Sequence, residues 1–249
     1  IDVVNSAAEM EFGWIDEYDN IKAALLCPCP VDTGFNALGK ILNGEVNPSG
    51  HLVDTYVYDL LSTPIINNFG SFTYEDYADV TGSEENQAVF VNYNEGIYVG
   101  YKFYETAAAE GLIDYESTVQ YPFGYGLSYT EFEAEIGEVR DDGNTISMDI
   151  NVSNTGDTAG KYVAEIFYNP PYTNGGIEKA TANLVEFAKT DIIEPGASET
   201  VTIEFNYEDM ASYDSECIKS ENGAYVLEAG DYQINLCSDS HTVIDTYMA

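Results

Sequence analysis

Two rhythms of apolar and polar residues run along this chain, and one gives way to the other near its middle. Ile1-Asp2-Val3-Val4-Asn5 reads as a short strand. Met10, Trp14, Ile15 and Tyr18 recur at the spacing of one helical face, which predicts a short helix over 10–18. The run from Ile21 to Cys27 is mostly apolar, as in a strand buried on both faces of a parallel sheet. Phe35 to Leu42 returns to helical spacing, with Leu38, Ile41 and Leu42 facing inward and Gly44 placed for a left-handed C-cap. Asn47-Pro48-Ser49-Gly50 then carries Pro second and Gly fourth, the residue order of a type I turn.

A strand–helix–strand–helix order implies a parallel sheet covered by helices. Two strands cannot bury both of their faces, so residues 1–66 are expected to be the edge of a larger sheet. The chain, opening on a strand already in progress, reads as a piece of a longer polypeptide. From about 53 to 120 no period is sustained, and the stretch, rich in Tyr and Asn, is expected to be irregular and either functional or packed against something. Beyond residue 131 the period becomes two. Ile146, Met148, Ile150 and Val152 alternate with polar residues; Ala164, Ile166 and Tyr168 keep the same period, as do Val201, Ile203, Phe205 and Tyr207, and finally Tyr232, Ile234 and Leu236. Turn signals at Asn154-Thr155-Gly156-Asp157, Glu194-Pro195-Gly196 and Glu228-Ala229-Gly230-Asp231 separate them. Six or seven short strands so spaced predict an antiparallel β-sandwich.

Composition adds a core and removes several partners. With 45% hydrophobic and 13% aromatic residues, 249 residues can bury a real interior. Against 44 acidic residues stand 8 basic ones, a net charge of -36, which argues against nucleic acid and against an anionic membrane surface. An extracellular or saline setting suits such a surface. No apolar run approaches the roughly 20 residues of a membrane-spanning helix, so no membrane insertion is expected. Cys27 and Cys29 flank a proline rather than the gap of a zinc site. Cys217 and Cys237 could be bridged, though free buried thiols are the expectation. His51 and His241 add no ligand cluster, and no phosphate loop or Ser-His-Asp set is evident, so neither metal nor cofactor is expected.

Three segments carry more than pattern. The first runs from Asn36 to Leu52 and ends in the Asn-Pro-Ser-Gly sequence; the second is Asn94-Glu95-Gly96-Ile97-Tyr98-Val99-Gly100-Tyr101-Lys102-Phe103-Tyr104. The third, Val119 to Thr130, packs aromatics and glycines around Pro122 without a single charge. In this order they resemble the C-terminal half of glycoside hydrolase family 3, which includes many β-glucosidases and β-xylosidases, with Lys102 where that family usually has Arg. Ile177-Glu178-Lys179, Glu194-Pro195-Gly196 and Ala229-Gly230-Asp231-Tyr232 recur at the places usual in its fibronectin type III-like domain. The resemblance implies part of a parallel α/β-sandwich domain over 1–66, a connector over 67–130 and an antiparallel fibronectin type III-like β-sandwich over 131–249. In that setting the uncharged third segment is a buried connector clamping the sandwich onto the α/β domain.

The activity implied is retaining cleavage of terminal β-linked glucose or xylose from an oligosaccharide, which needs two carboxylates about 5 Å apart. The resemblance puts the nucleophile in a separate barrel domain and the acid/base in an upstream part of the α/β domain, so no catalytic residue is assigned here. Glu95 is the best remaining candidate among the acids, with a structural role as the competing expectation, and Asp54 is similar. Asn67, Asn68, Phe69, Tyr74 and Tyr77 are candidates for an outer sugar subsite, because aromatic faces stack on pyranose rings. The implied partners are an oligosaccharide, the barrel and the remainder of the α/β domain. The competing reading is a non-catalytic carbohydrate-binding or cell-surface β-sandwich module, separable by whether a barrel with an Asp-Trp nucleophile motif flanks the segment. The charge imbalance itself is testable: because screening relieves repulsion among carboxylates, the melting temperature should rise between low salt and about 0.5 M NaCl near neutral pH. A flat or falling response in a thermal scan would show the acids to be locally paired.

Overall fold

The computed structural model describes residues 2–4, 10–28, 30, 31, 33–68, 70, 72–82 and 89–249. Strands β1 (Asp2–Val4) and β2 (Ala24–Leu26) run parallel, with Val3 opposite Leu25. The helix expected over 10–18 is a 3-10 turn at Gly13–Glu17. Three residues per turn align positions i and i+3. Phe12, at the N-cap of that turn, and Ile15, three residues on, are buried, while Met10, Trp14 and Tyr18, the last beyond the turn at its C-cap, are exposed. Helix α1 (Gly34–Leu42) begins close to where expected, and Gly44 follows its C-cap in the left-handed region. Its inward face is uncovered, however: no residue of α1 is buried, and Phe35 and Leu42 are 52% and 45% exposed. Strand β2 is likewise only half-buried, not enclosed on both faces. The type I turn at Asn47–Gly50 is not formed. Asn47 instead turns its side chain across to the neighbouring segments, accepting from Tyr129 N at 2.8 Å and Ser128 Oγ at 3.1 Å and donating to Ala159 O at 3.1 Å.

The middle of the chain is more regular than its sequence suggests. Strand β3 (Tyr56–Val57) pairs with β6 (Val119–Tyr121), and β4 (Phe72–Thr73) with β5 (Val89–Phe90). Helices α2 (Pro64–Asn68), α3 (Tyr77–Thr81), α4 (Tyr101–Ala109) and α5 (Tyr115–Thr118) lie among them. The nine-residue α4 escapes a periodicity search because its buried face is Tyr104, Glu105 and Ala107, a weak apolar stripe.

The remainder is the expected antiparallel sandwich. One sheet orders β11 (Ser198–Asn206), β8 (Thr145–Asn154) and β7 (Phe132–Asp141); the other orders β10 (Asn183–Lys189), β9 (Val163–Asn169), β14 (Gln233–Cys237) and β15 (Val243–Met248). A small hairpin of β12 (Ser212–Tyr213) and β13 (Tyr225–Val226) sits outside both. Ile146, Met148, Ile150 and Val152 are fully buried between the sheets, as their alternation requires. Strand β9 departs from the half-buried expectation, with six consecutive buried residues. Ala164, Ile166 and Tyr168 belong to the sandwich core. The alternate residues Glu165 and Phe167 face the other way and are nevertheless buried.

The turn signal at Asn154 proves to be a buried polar hub. Its side chain, in a residue only 1% exposed, donates to Ile193 O (2.8 Å) and Thr158 O (2.9 Å) and accepts from Thr130 Oγ1 (2.7 Å) and Gly156 N (3.1 Å). Truncation strands Thr130 Oγ1 and Thr158 O, whereas Ile193 O and Gly156 N keep backbone bonds to Gly160 N and Glu131 O; each stranded group costs about 1–3 kcal/mol. Asn154→Ala should therefore lower unfolding stability in urea by about 3 kcal/mol or more. A loss under about 1 kcal/mol would mean that water or local rearrangement satisfies those groups.

Candidate functional site: an acidic cleft beside an interdomain seam

Asn68, at the end of α2, and Glu95, in the turn before α4, meet in an open cleft of about 270 Å³ completed by Pro64, Asn94, Tyr98 and Phe103. Asn94 Nδ2 donates to Asn68 Oδ1 at 3.1 Å, which joins the two sides. Glu95 Oε2 is buried and has no hydrogen-bond partner among the described residues. A carboxylate oxygen left free beside two amides and two aromatic rings can accept from a ligand hydroxyl. It cannot by itself run a retaining cleavage, and no second carboxylate lines the cleft.

Of the other residues picked from the sequence, Tyr74 is half exposed and packs on Phe90 with ring centroids 4.7 Å apart. Tyr77 opens α3, its N–H donating to Tyr74 O. Tyr74 belongs to a separate aromatic group around the β4–β5 pair, and neither Tyr74 nor Tyr77 lines the cleft. Phe69 and the side chain of Asn67 lie outside the described residues. Asp54 is exposed and accepts from Thr55 N at 3.2 Å, a local structural bond. Asn94, Tyr98 and Phe103 were not singled out; all three stand in the Glu95 motif, but nothing in the sequence tells which side of the turn they face.

Next to the cleft runs the seam where the outer face of β9 is covered. Tyr101 of α4, Phe123 of the uncharged segment and Phe167 of β9 form an aromatic cluster, with centroids 4.7 Å apart for Tyr101–Phe123 and 5.6 Å for Tyr101–Phe167. Tyr101 Oη also accepts from Leu184 N at 2.9 Å. The uncharged segment bonds to both sides: Gly124 N donates to Leu52 O, and Ser240 N of the sandwich donates to Phe123 O, each at 2.8 Å. Gly124 is left-handed, with φ +85°, and a Cβ there would run into the Glu165 carboxylate. Lys189 Nζ reaches Ser49 O at 2.6 Å.

Both histidines of the chain lie on this seam, each facing a buried glutamate. Glu105 of α4 accepts from Tyr115 Oη (2.7 Å), Ser240 Oγ (3.0 Å) and His241 Nδ1 (2.9 Å), and the His241 ring stacks on Tyr115 at 3.6 Å. His51 Nδ1 donates to Gly124 O and lies 3.6 Å from Glu165 Oε1, whose companion Oε2 has no hydrogen-bond partner among the described residues. Burial raises the Glu105 carboxyl against these bonds, and it pushes the Tyr115 hydroxyl far up. Glu165 is pushed up to about 8 by burial and then by the charge of Asp239. Burial lowers His51. The Cys237 thiol, raised to about 12 by burial and the neighbouring acids, is inert as a nucleophile. Cys27, Cys217 and Cys237 are all free, and no group of three or more potential metal ligands converges among the described residues.

Residues 1–101 match the glycosyl hydrolase family 3 C-terminal domain, and 162–240 match the fibronectin type III-like domain. The chain is 34% identical, over 94% of its length, to β-glucosidase A of Butyrivibrio fibrisolvens, and 34% identical, over 95%, to a β-glucosidase of Ruminococcus albus. The chain belongs to glycosyl hydrolase family 3. It covers 27% and 22% of the length of those two relatives, so it spans about a quarter of each. The same part is found in the crystal structure of β-glucosidase from Kluyveromyces marxianus in complex with glucose (TM-score 0.80, 27% identity, 99% of this chain and 26% of that one). β-Glucosidase 3B from Thermotoga neapolitana, also in complex with glucose, agrees as well (TM-score 0.79, 29% identity, 99% of this chain and 30% of that one). In this family 3 chain the first match ends at Tyr101, so most of α4, the uncharged segment, β7 and β8 stand between the two matched regions.

The seam gives the family 3 chain a defined response to pH. A carboxyl raised in the folded state favours its protonated form. Glu165 therefore contributes its full stability below the ordinary value of 4.5 and loses it as pH rises through about 8. His51, lowered by burial, acts in the opposite sense: its contribution is present above 6.5 and lost as pH falls through its depressed value. The melting temperature of the wild type relative to Glu165→Gln should fall across about pH 5–8 and level off above, since the surface carboxylates are common to both proteins. A pH-independent difference would mean that Glu165 stays ionised in the fold.

Proposed function

We propose that this chain is part of a family 3 β-glucosidase that removes terminal β-linked glucose, or xylose, from oligosaccharides by a retaining two-carboxylate mechanism. The observation that carries the reading is the match of nearly the whole chain to about a quarter of the length of several β-glucosidases. Both reacting carboxylates come from outside the 249 residues, because the cleft at Glu95 offers a single free carboxylate among the described residues where the reaction needs a pair. Within the enzyme, residues 1–66 supply an edge of the α/β domain, 67–130 the connector and 131–249 the sandwich. The uncovered faces of β2 and α1, with Trp14, Phe35 and Leu42 exposed, suit packing against the rest of that α/β domain and a barrel. Glu95 shapes the cleft and Asn68 lines it, while Tyr74 and Tyr77, which lie outside it, are offered as contacts for an outer sugar unit.

Release of nitrophenol from an aryl β-glucoside tests this directly. The 249-residue chain should show no turnover above background, whereas a polypeptide that also carries the barrel and the rest of the α/β domain should be active. In the larger protein, loss of a stacking ring costs about 1 kcal/mol, so Tyr74→Ala should raise KM for cellotriose about fivefold and leave KM for the aryl glucoside nearly unchanged. Hydrolysis by the short chain that Glu95→Gln abolishes would overturn the scaffold role. Inactivity of the larger protein on both aryl glucosides and xylosides would favour a binding module.

A further inference from the structure

On the far side of Tyr98 from Glu95 lies a larger cleft, of about 430 Å³, between α4 and the connection from β9 to β10. That volume falls within the range of roughly 300–1,000 Å³ typical of small-molecule sites. Thr106 of α4 and Thr181 of the connection meet in it, their hydroxyls 3.4 Å apart and Thr181 N donating to Thr106 Oγ1 at 3.1 Å. Tyr98 and Glu110 stand on the helix side, with Asn169, Tyr172 and Asn174 opposite. We propose that this cleft is a second carbohydrate site, which holds a neutral pyranoside without cleaving it.

Three features support the assignment. The first is an inventory of polar groups left free: the amides of Asn169 and Asn174, the carboxylate of Glu110 and the hydroxyl of Tyr172 have no side-chain hydrogen bond among the described residues. Amides donate and accept, as sugar hydroxyls do, and the carboxylate accepts from them. The Tyr172 ring, 46% exposed, offers an apolar face for the C–H side of a pyranose. This combination of ring faces with a few convergent polar groups is what a polyhydroxylated ligand requires.

The second is charge. Among the described residues Lys179 is the one cation lining the cleft, and it is spent: Nζ donates to Pro171 O and pairs with Glu228 Oε2, each at 2.6 Å, with the side chain 2% exposed. The neighbouring Glu178 accepts from the Tyr98 hydroxyl. With Glu110 uncompensated and the chain at -36, an anionic ligand is repelled, so among sugars a neutral one is favoured over an acidic one.

The third is that the wall is already built. Lys179 pins the connection at Pro171, Asn183 Nδ2 holds Ala180 O at 2.8 Å, and Gly176 N closes a turn on Thr173 O at 2.8 Å. A ligand entering this cleft therefore orders little of the protein, which favours binding through few contacts. The site is independent of the outer-subsite reading, which concerns Asn68, Tyr74 and Tyr77.

Saturation-transfer NMR on the 249-residue chain, with methyl β-D-glucopyranoside and cellobiose as probes and glucuronate as the anionic control, tests the proposal. Cellobiose should bind saturably with a Kd on the order of millimolar, and glucuronate at least about tenfold more weakly. Tyr172→Ala and Asn174→Ala should each weaken cellobiose binding about tenfold at an unchanged melting temperature, and Tyr74→Ala should leave it intact. Absence of saturable binding overturns the proposal, as does glucuronate binding as tightly as cellobiose or full binding by the Tyr172→Ala, Asn174→Ala double variant. Loss of binding in Tyr74→Ala instead also overturns it, while leaving the outer-subsite reading intact.

Discussion

A strand buried on both faces cannot stand at the surface of a sandwich, and β9 is such a strand. Its inner residues Ala164, Ile166 and Tyr168 complete the sandwich core, and its outer residues Glu165 and Phe167 are as deeply enclosed. Something must cover that outer face, and α4, the uncharged segment and the stretch around His51 do so. The two parts of the chain are thereby docked rather than strung together. Apolar contact at Tyr101, Phe123 and Phe167 supplies the non-directional attraction, while the bonds of Asn47, Gly124 and Ser240 set the register.

The docking explains where this very acidic chain places its few titratable oddities. Burying a carboxylate without compensation is expensive, so buried acids are bonded or become neutral. Glu105 takes the first route, with three donors from two sides of the seam, and Glu165 takes the second, its carboxyl raised to about 8. Spending both histidines beside these two acids is consistent with that logic, since an imidazole can donate while remaining neutral. On the solvated surface no such devices are needed, because screening there is efficient.

Legibility in the sequence followed the strength of the apolar period. Strands β8, β11 and β14 were readable because a core on one side and water on the other leave a clean alternation. Strand β9 was misread as half-buried, since Glu165 looks like a solvent-facing position until its cover is known. Helix α4 was hidden by an inward face of Tyr, Glu and Ala, and the Asn-Pro-Ser-Gly turn by an asparagine that bonds across the seam instead of locally. The cleft was half legible: Asn68 and Glu95 were named for different reasons, and the structure joins them through Asn94. Tyr74 and Tyr77 were picked as sugar-stacking aromatics, but composition cannot distinguish a ring packed on Phe90 from one facing a ligand.

Tyr98 shows how the scaffold and the clefts depend on each other. Its ring lines both the cleft of Glu95 and the one facing Tyr172, and its hydroxyl is fixed by Glu178 from the sandwich. Desolvation and the adjoining carboxylate push that hydroxyl well up, so it is a donor at neutral pH. A wall held in this way belongs to neither part alone: α4 carries the chain past it and the β9–β10 connection anchors it. Any slip of α4 along β9 would reshape both clefts together. The Tyr101–Leu184 and Thr106–Thr181 bonds, about one and a half helical turns apart, oppose that slip. The geometry of the clefts is thus set by the same contacts that let a two-faced strand stay buried.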